Sequence, residues 1–418
     1  MPRNTFFLFL ILVLIIGALG IGVYLYFFTN TFSGITSPGG ITNTFRNFSP
    51  FGNGVSSEAP RGGKDAVTGT LGQPQNAGQP AVKLLKLVQN PVAGFIPTTL
   101  GSTTMVRYLE KQTGRSFDID MSIPAARTKI TNTTIPRVYQ ALFGQNGSSV
   151  LLRYLDSSNL IQTYSATIPR ATSTTLMQSG VELKGSFLAA GLGDISLSPS
   201  ADKIFTLANF GNSMVGTVSN LDGTKKSQIF DSPFTEWLSS WTNDKTILLA
   251  TKPSYVAAGH AYALDVKSGS FQKIYGGGNG LTAILSPDGK NLLVSEITDN
   301  SPSLKIYNIA NRSLVDTGLK TIADKCLWAA NTVIYCAVPE TIPSADGGYP
   351  DAWYQGVVSF KDGIWKIDSA TLSTDLVLNI SQTARESIDA VNLAASKGGD
   401  YLFLINKSDS SLWSLQLR

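Results

Sequence analysis

Residues 281–315 read LTAILSPDGKNLLVSEITDNSPSLKIYNIANRSLV. Apolar side chains alternate with polar ones in LTAILS, NLLVSEI and LKIYNI. A Pro-Asp-Gly turn, a polar loop and a second polar turn separate these runs from one another and from a final SLV. Period-two alternation bounded by Gly, Pro, Asn and Asp predicts half-buried antiparallel strands joined by tight turns. A sheet of four such strands, here lettered A to D, cannot bury both faces alone, so the unit requires neighbours of its own kind.

Those neighbours lie on both sides. Upstream, VAGFIPT, TMVRYLEK, SFDIDMS and TKITNT form a first copy from Val92, and VYQALF, SVLLRYL, LIQTYSATI and VELKGSF a second. ISLSPSADK, IFTLANF, MVGTVSN and KSQIF form a third, and EWLSSW, TILLATK, HAYALDV and FQKIY a fourth. Residues 281–315 are the fifth. Downstream, KCLWAA, TVIYCAV, GIWKIDS and DLVLNI make a sixth, while the seventh offers DAVNLAA, YLFLINK and LWSLQL and no fourth strand. AVKLLKLV, residues 81–88, resembles the fourth strands of the other copies and supplies the missing one. Spacings of about 40 to 70 residues match the blades of a propeller. The predicted fold is therefore all-β, a seven-bladed β-propeller over residues 81–418, closed by a strand from the N-terminal side that leaves no open edge.

The rest of the 418-residue chain reads differently. After a short flank at 1–5, residues 6–28, FFLFLILVLIIGALGIGVYLYFF, form an uncharged apolar run. At about 1.5 Å rise per residue this run crosses about 30 Å of hydrocarbon. Tyr24, Tyr26, Phe27 and Phe28 crowd one end, where amphipathic rings favour the membrane interface. No small-x-small cleavage site follows, so an uncleaved signal anchor is expected, the membrane being a partner through residues 6–28. Arg3 before the run favours an inside N-terminus, which puts the C-terminal propeller outside the cytoplasm. Residues 29–80, with SPGG, RGGKD and GQPQNAGQP, read as a disordered linker. Lys and Arg total 33 against 29 Asp and Glu, with no dense basic run interleaved with aromatics, which argues against a nucleic-acid partner.

SPDGKNLLVSE at 286–296 and the weaker SPSADKIFTL from Ser198 resemble the repeats of TolB-type and WD40-like bacterial β-propellers. The resemblance covers 81–418 and implies the fold, not an activity. With the apolar run, the tether, SPFTEWLSSW and YPDAWYQGVVSF, the chain also resembles membrane-anchored bacterial propeller proteins, which implies no chemistry. The WD dipeptide of WD40 blades is absent, so the scaffold functions of that family are not carried over.

In an antiparallel meander the B–C and D–A connections emerge on one face. That face receives the longest insertion, PETIPSADGGYPDAWYQ at 339–355, together with GGGNG from Gly276, Arg385, Glu386 and Asp389, and Glu236 with Trp237. These residues are the candidate contacts for a protein or cell-envelope ligand. Tyr349, Trp353 and Tyr354 have two readings: an exposed stacking patch, or rings folded back to plug the funnel or pack between blades, the second being favoured. Trp365 and Trp413 are expected between blades.

The alternative to a binding module is a glycosidase-like cell-surface hydrolase using Asp194, Glu236, Glu386 and Asp389 near the starts of A strands. The bland reading of these acids is solvated loop charge, and no catalytic residue is assigned. SFKDGIW around Asp362 is only superficially similar to a sialidase Asp-box. His260, the one histidine, rules out a histidine-based metal cluster and reads as a strand-end residue. GGGNG is followed by neither a helix pattern nor Lys-Ser/Thr, so it lacks the features of a phosphate loop, and no cofactor is expected. Cys326 and Cys336 flank one tight turn and are either a cross-strand disulfide or two buried thiols, the disulfide slightly favoured.

Overall fold

A computed structural model describes residues 83–168 and 180–418. The expected membrane run at 6–28 and the linker at 29–80 lie outside the described residues. Among the described residues no helix is long and apolar enough to cross a membrane.

The described residues form seven four-stranded antiparallel sheets. Six are consecutive meanders, at 92–129, 138–187, 192–232, 237–279, 282–316 and 326–378. The seventh combines Ala390–Ala395, Tyr401–Asn406 and Leu412–Gln416 with Leu84–Val88, which pairs antiparallel to the last of them through Leu84 with Leu415 and Lys86 with Trp413. The N-terminal strand thus completes blade 7 and closes the ring. It is fastened twice more at Lys86, whose ammonium lies 2.8 Å from Glu386 and 4.8 Å from the centre of the Trp413 ring.

The core lies between blades. Leu151 of blade 2 packs with Leu192, Ile195 and Ile204 of blade 3, and Phe205, Leu207 and Phe230 of blade 3 pack with Trp237, Trp241 and Leu249 of blade 4. Leu293 and Leu304 of blade 5 meet Trp328 and Ile334 of blade 6, with Trp365 against them, and Ile364 of blade 6 meets Leu402, Leu404 and Trp413 of blade 7. Each of these aliphatic side chains contributes about 1.5–3 kcal/mol when fully buried, so the blades hold one another and none stands alone. Trp365 and Trp413 therefore occupy the inter-blade positions expected of them.

One expected loop is strand. Gly276–Asn279 continues strand D of blade 4, Phe271–Asn279, and pairs with Ala258–His260, so it is not a flexible Gly-rich connection. The glycines serve close approach: at Gly276, where φ is +146°, a Cβ atom would come 2.4 Å from Nδ1 of His260.

Candidate functional site

The B–C insertion of blade 6 runs between the strands Val333–Pro339 and Asp362–Asp368 and contains a one-turn helix, Asp351–Tyr354. It folds down onto the propeller. Asp351 accepts the backbone N–H of Tyr255 at 2.6 Å, tying the insertion to blade 4. Gly348 has φ +71° and lies flat against Tyr255, where a Cβ would sit 2.3 Å from the ring. Tyr349 donates its hydroxyl to the Pro343 carbonyl at 2.6 Å and stacks on Phe360, which in turn stacks on Trp353 with an interplanar angle of 12°. Tyr349, Trp353 and Tyr354 are all buried. They form no exposed patch, because an insertion that presented three rings to water would forgo the burial these contacts supply.

The rings cover a charged centre. Lys325 ends a 3-10 turn, Ala323–Lys325, directly before strand A of blade 6. Its side chain is 0% exposed and its ammonium donates to Asp362 Oδ2 at 2.8 Å, to the Ala390 carbonyl at 3.0 Å and, in a very short contact, to Asp389 Oδ1. Trp353 and Phe360 flank the cation at 5.2 and 5.3 Å. Asp389 Oδ2 accepts from Trp353 Nε1 at 2.9 Å, the Phe360 N–H at 3.1 Å and Ser359 Oγ at 3.2 Å. Asp362 Oδ2 also accepts the Ala390 N–H at 2.6 Å, whereas its Oδ1 is buried with no hydrogen-bond partner among the described residues.

The titrations of Asp362 and Lys325 both move upward. Burial raises Asp362 to about 7, opposed by Lys325 and reinforced by Asp389. Burial works against the Lys325 cation, but Asp362 and Asp389 outweigh it and hold its pKa above the ordinary lysine value. The cation is thus strongly held while one carboxylate is left without full compensation. Next to this centre Tyr354 donates to Asp324 Oδ2 at 2.5 Å, and burial raises both groups. Lys407 lies 5.1 Å from the Trp353 ring, its pKa lowered chiefly by burial.

The other expected contact residues are dispersed. Trp237 is buried, donating to the Phe234 carbonyl at 2.7 Å within a ring cluster that includes Phe230 and Tyr262. Glu236 pairs with Lys252, Glu386 pairs with Lys86, and exposed Arg385 adopts a left-handed conformation at the end of the helix Ile380–Ala384. Asp389 alone joins the centre beneath the insertion. Asp194 accepts the backbone and hydroxyl of Ser239 at 2.6 and 2.8 Å. Each of the four carboxylates considered for hydrolysis is therefore already engaged by a cation or donor of the chain.

Lys325 escaped the sequence reading, and Asp362 was met only in SFKDGIW and set aside. Their signal was positional: Lys325 precedes strand A of blade 6, Asp362 opens strand C of the same blade, and Asp389 precedes strand A of blade 7. All three stand where strands begin on one face, which an alignment of the copies by strand start would have revealed. Elsewhere on that face apolar side chains are exposed: Leu160, Phe210 and Val256 at the B–C turns of blades 2, 3 and 4, and Phe234 between blades 3 and 4, with Phe210 at 80% and Val256 at 83%.

Cys326 and Cys336 are cross-strand partners joined by a disulfide, with Cα atoms 4.0 Å apart. His260 sits in strand C of blade 4. Burial, with Lys273 nearby, lowers its pKa.

No protein-family model matches the sequence, and no curated protein matches it. Solved structures do. The chain is similar to oligogalacturonate lyase from Vibrio parahaemolyticus, with 8% identity over 80% of this chain and 98% of that one and a TM-score of 0.50. It is also similar to the Pan2 WD40 domain of Neurospora crassa, with 12% identity, 78% and 89% covered and a TM-score of 0.46. For TolB from Acinetobacter baumannii the values are 11%, 73%, 60% and 0.38. At such identities a likeness speaks for architecture and not for activity. What this chain shares with the oligogalacturonate lyase is the β-propeller fold.

Proposed function

We propose that the chain is a membrane-tethered extracytoplasmic propeller that acts as a protein-binding or assembly module through its B–C and D–A face. The observation that carries this reading is the row of exposed Leu160, Phe210 and Val256 on the B–C turns of three successive blades, flanked by Phe234. Apolar side chains gathered on one face of a rigid scaffold mark contact surfaces. The insertion of blade 6 buries its own rings and exposes Val357 on the same face. The uncharged run at 6–28 supports the tether, and the Cys326–Cys336 disulfide supports an oxidising compartment. A hydrolase reading lacks such support, since its four carboxylates are engaged within the chain.

The test is proximity labelling in intact membranes with the full chain and with a Phe210→Ser/Val256→Ser variant whose melting temperature matches the parent. Loss of a defined set of labelled neighbours is expected. An unchanged set removes the assignment of this sector.

A further inference from the structure

We propose that Lys325 and Asp389 condense within the folded protein into an intramolecular amide, with Asp362 carrying the proton, so that the connections entering blades 6 and 7 are covalently joined. The three side chains meet the requirements of an amide-forming site one by one. The nucleophile and the electrophile are in contact through Lys325 Nζ and Asp389 Oδ1, and Lys325, Asp362 and Asp389 are all 0% exposed. The other oxygen of the electrophile, Asp389 Oδ2, faces three donors: Trp353 Nε1, the Phe360 N–H and Ser359 Oγ. Negative charge develops on that oxygen when nitrogen adds to the carboxyl carbon, and fixed donors in a buried site stabilise it strongly. Asp362 Oδ2 lies on the nitrogen at 2.8 Å and its Oδ1 has no partner among the described residues, which leaves this carboxyl available for proton transfer.

The steps balance. A proton passes from Lys325 Nζ to Asp389 Oδ1 across their contact, converting the ion pair into an amine and a carboxylic acid. The amine adds to Asp389 Cγ, forming the Nζ–Cγ bond and placing the negative charge on Oδ2. Asp362 takes one proton from the nitrogen and delivers it to Oδ1, the Cγ–Oδ1 bond breaks, and Oδ1 leaves as water. The product is a secondary amide and Asp362 is again a carboxylate. No oxidant or second reactant is needed. Condensation removes one cation and one anion from a buried site, and the amide oxygen keeps the three donors that Asp389 Oδ2 already has. The Trp353 and Phe360 rings beside the nitrogen restrict the return of water, which the reverse reaction requires.

The test is peptide mapping of the purified full-length chain after thiol reduction and tryptic digestion. Amide formation blocks cleavage after Lys325, so the segment 386–397 appears attached to the segment 321–361, the pair lighter than its two parts by one water. Release of 321–325 as a free peptide, with no linked pair, overturns the proposal. Asp389→Asn retains a carbonyl electrophile with ammonia as the leaving group, and the linked pair is then lighter than its two parts by one ammonia. Folded Asp362→Asn is expected to lose the link. A link that persists in this variant overturns the role assigned to Asp362.

Discussion

In the ion-paired state Lys325 lies between Asp362 and Asp389 and is fully buried, and its removal leaves two buried carboxylates without a cation. Breaking such a cluster by deleting one partner costs about 3–5 kcal/mol. Lys325→Met is expected to lose at least that much in a denaturant titration; an unchanged midpoint would show that the carboxylates take no penalty from its loss. Asp362 gives a pH signature. Its pKa in the fold is raised to about 7, above the ordinary carboxylate value of about 4. The fold therefore favours its neutral form. That contribution is complete at acid pH below the unfolded value and is lost as pH rises through about 7. Relative to Asp362→Asn, the parent's melting temperature should fall between about pH 4 and pH 7, and parallel melting curves across that window would contradict the assignment. Neither effect was legible in the sequence, because Lys325 and Asp362 stand 37 positions apart at the starts of two non-adjacent strands of blade 6, and Asp389 reaches them only through the packing of blade 7.

At the scale of elements, the insertion of blade 6 shows why the site was harder to read than the strands. Its position on the B–C face followed from strand order alone. The direction of its rings did not, since Tyr349, Trp353 and Tyr354 suit a contact patch and a buried plug equally well by composition. The contacts with Tyr255, Pro343, Asp324 and Asp389 decide for the plug. GGGNG failed for a related reason: a glycine run signals either a mobile loop or a close backbone approach, and here His260 stands where a side chain would go. The Cys326–Cys336 hairpin bridge closes a short loop beside this site. Replacing both cysteines by Ser is expected to lower stability by about 2–4 kcal/mol, measured by thermal or chemical unfolding under oxidising conditions. Equal stability would mean that the paired strands hold their register without it.

At the scale of the whole molecule, the fold was legible because it is written several times. Each copy repeats the order of strands A to D, and the mismatch at the two ends of the array, three strands in one place and a lone AVKLLKLV in another, pointed to the closing strand. The structure pairs Leu84–Val88 with Leu412–Gln416 at that seam. A chain shortened to begin at Gln89 is expected to expose the edge of Leu412–Gln416 and to self-associate, seen as early elution in size-exclusion chromatography. A monodisperse monomer with the parent's melting temperature would show that the ring does not depend on this strand.

The same seam brings the first described strand alongside the last, with the carbonyl of Lys83 accepting the N–H of Gln416 at 2.9 Å. In space the ring has no start, only a gap in covalent continuity that falls inside one blade. A short peptide joining residue 418 to residue 83, with a new opening at an exposed C–D turn such as 267–269, should give a circular permutant with the same seven blades. The segment that precedes residue 83 would then join the ring at a different blade, so its point of attachment is separable from the architecture.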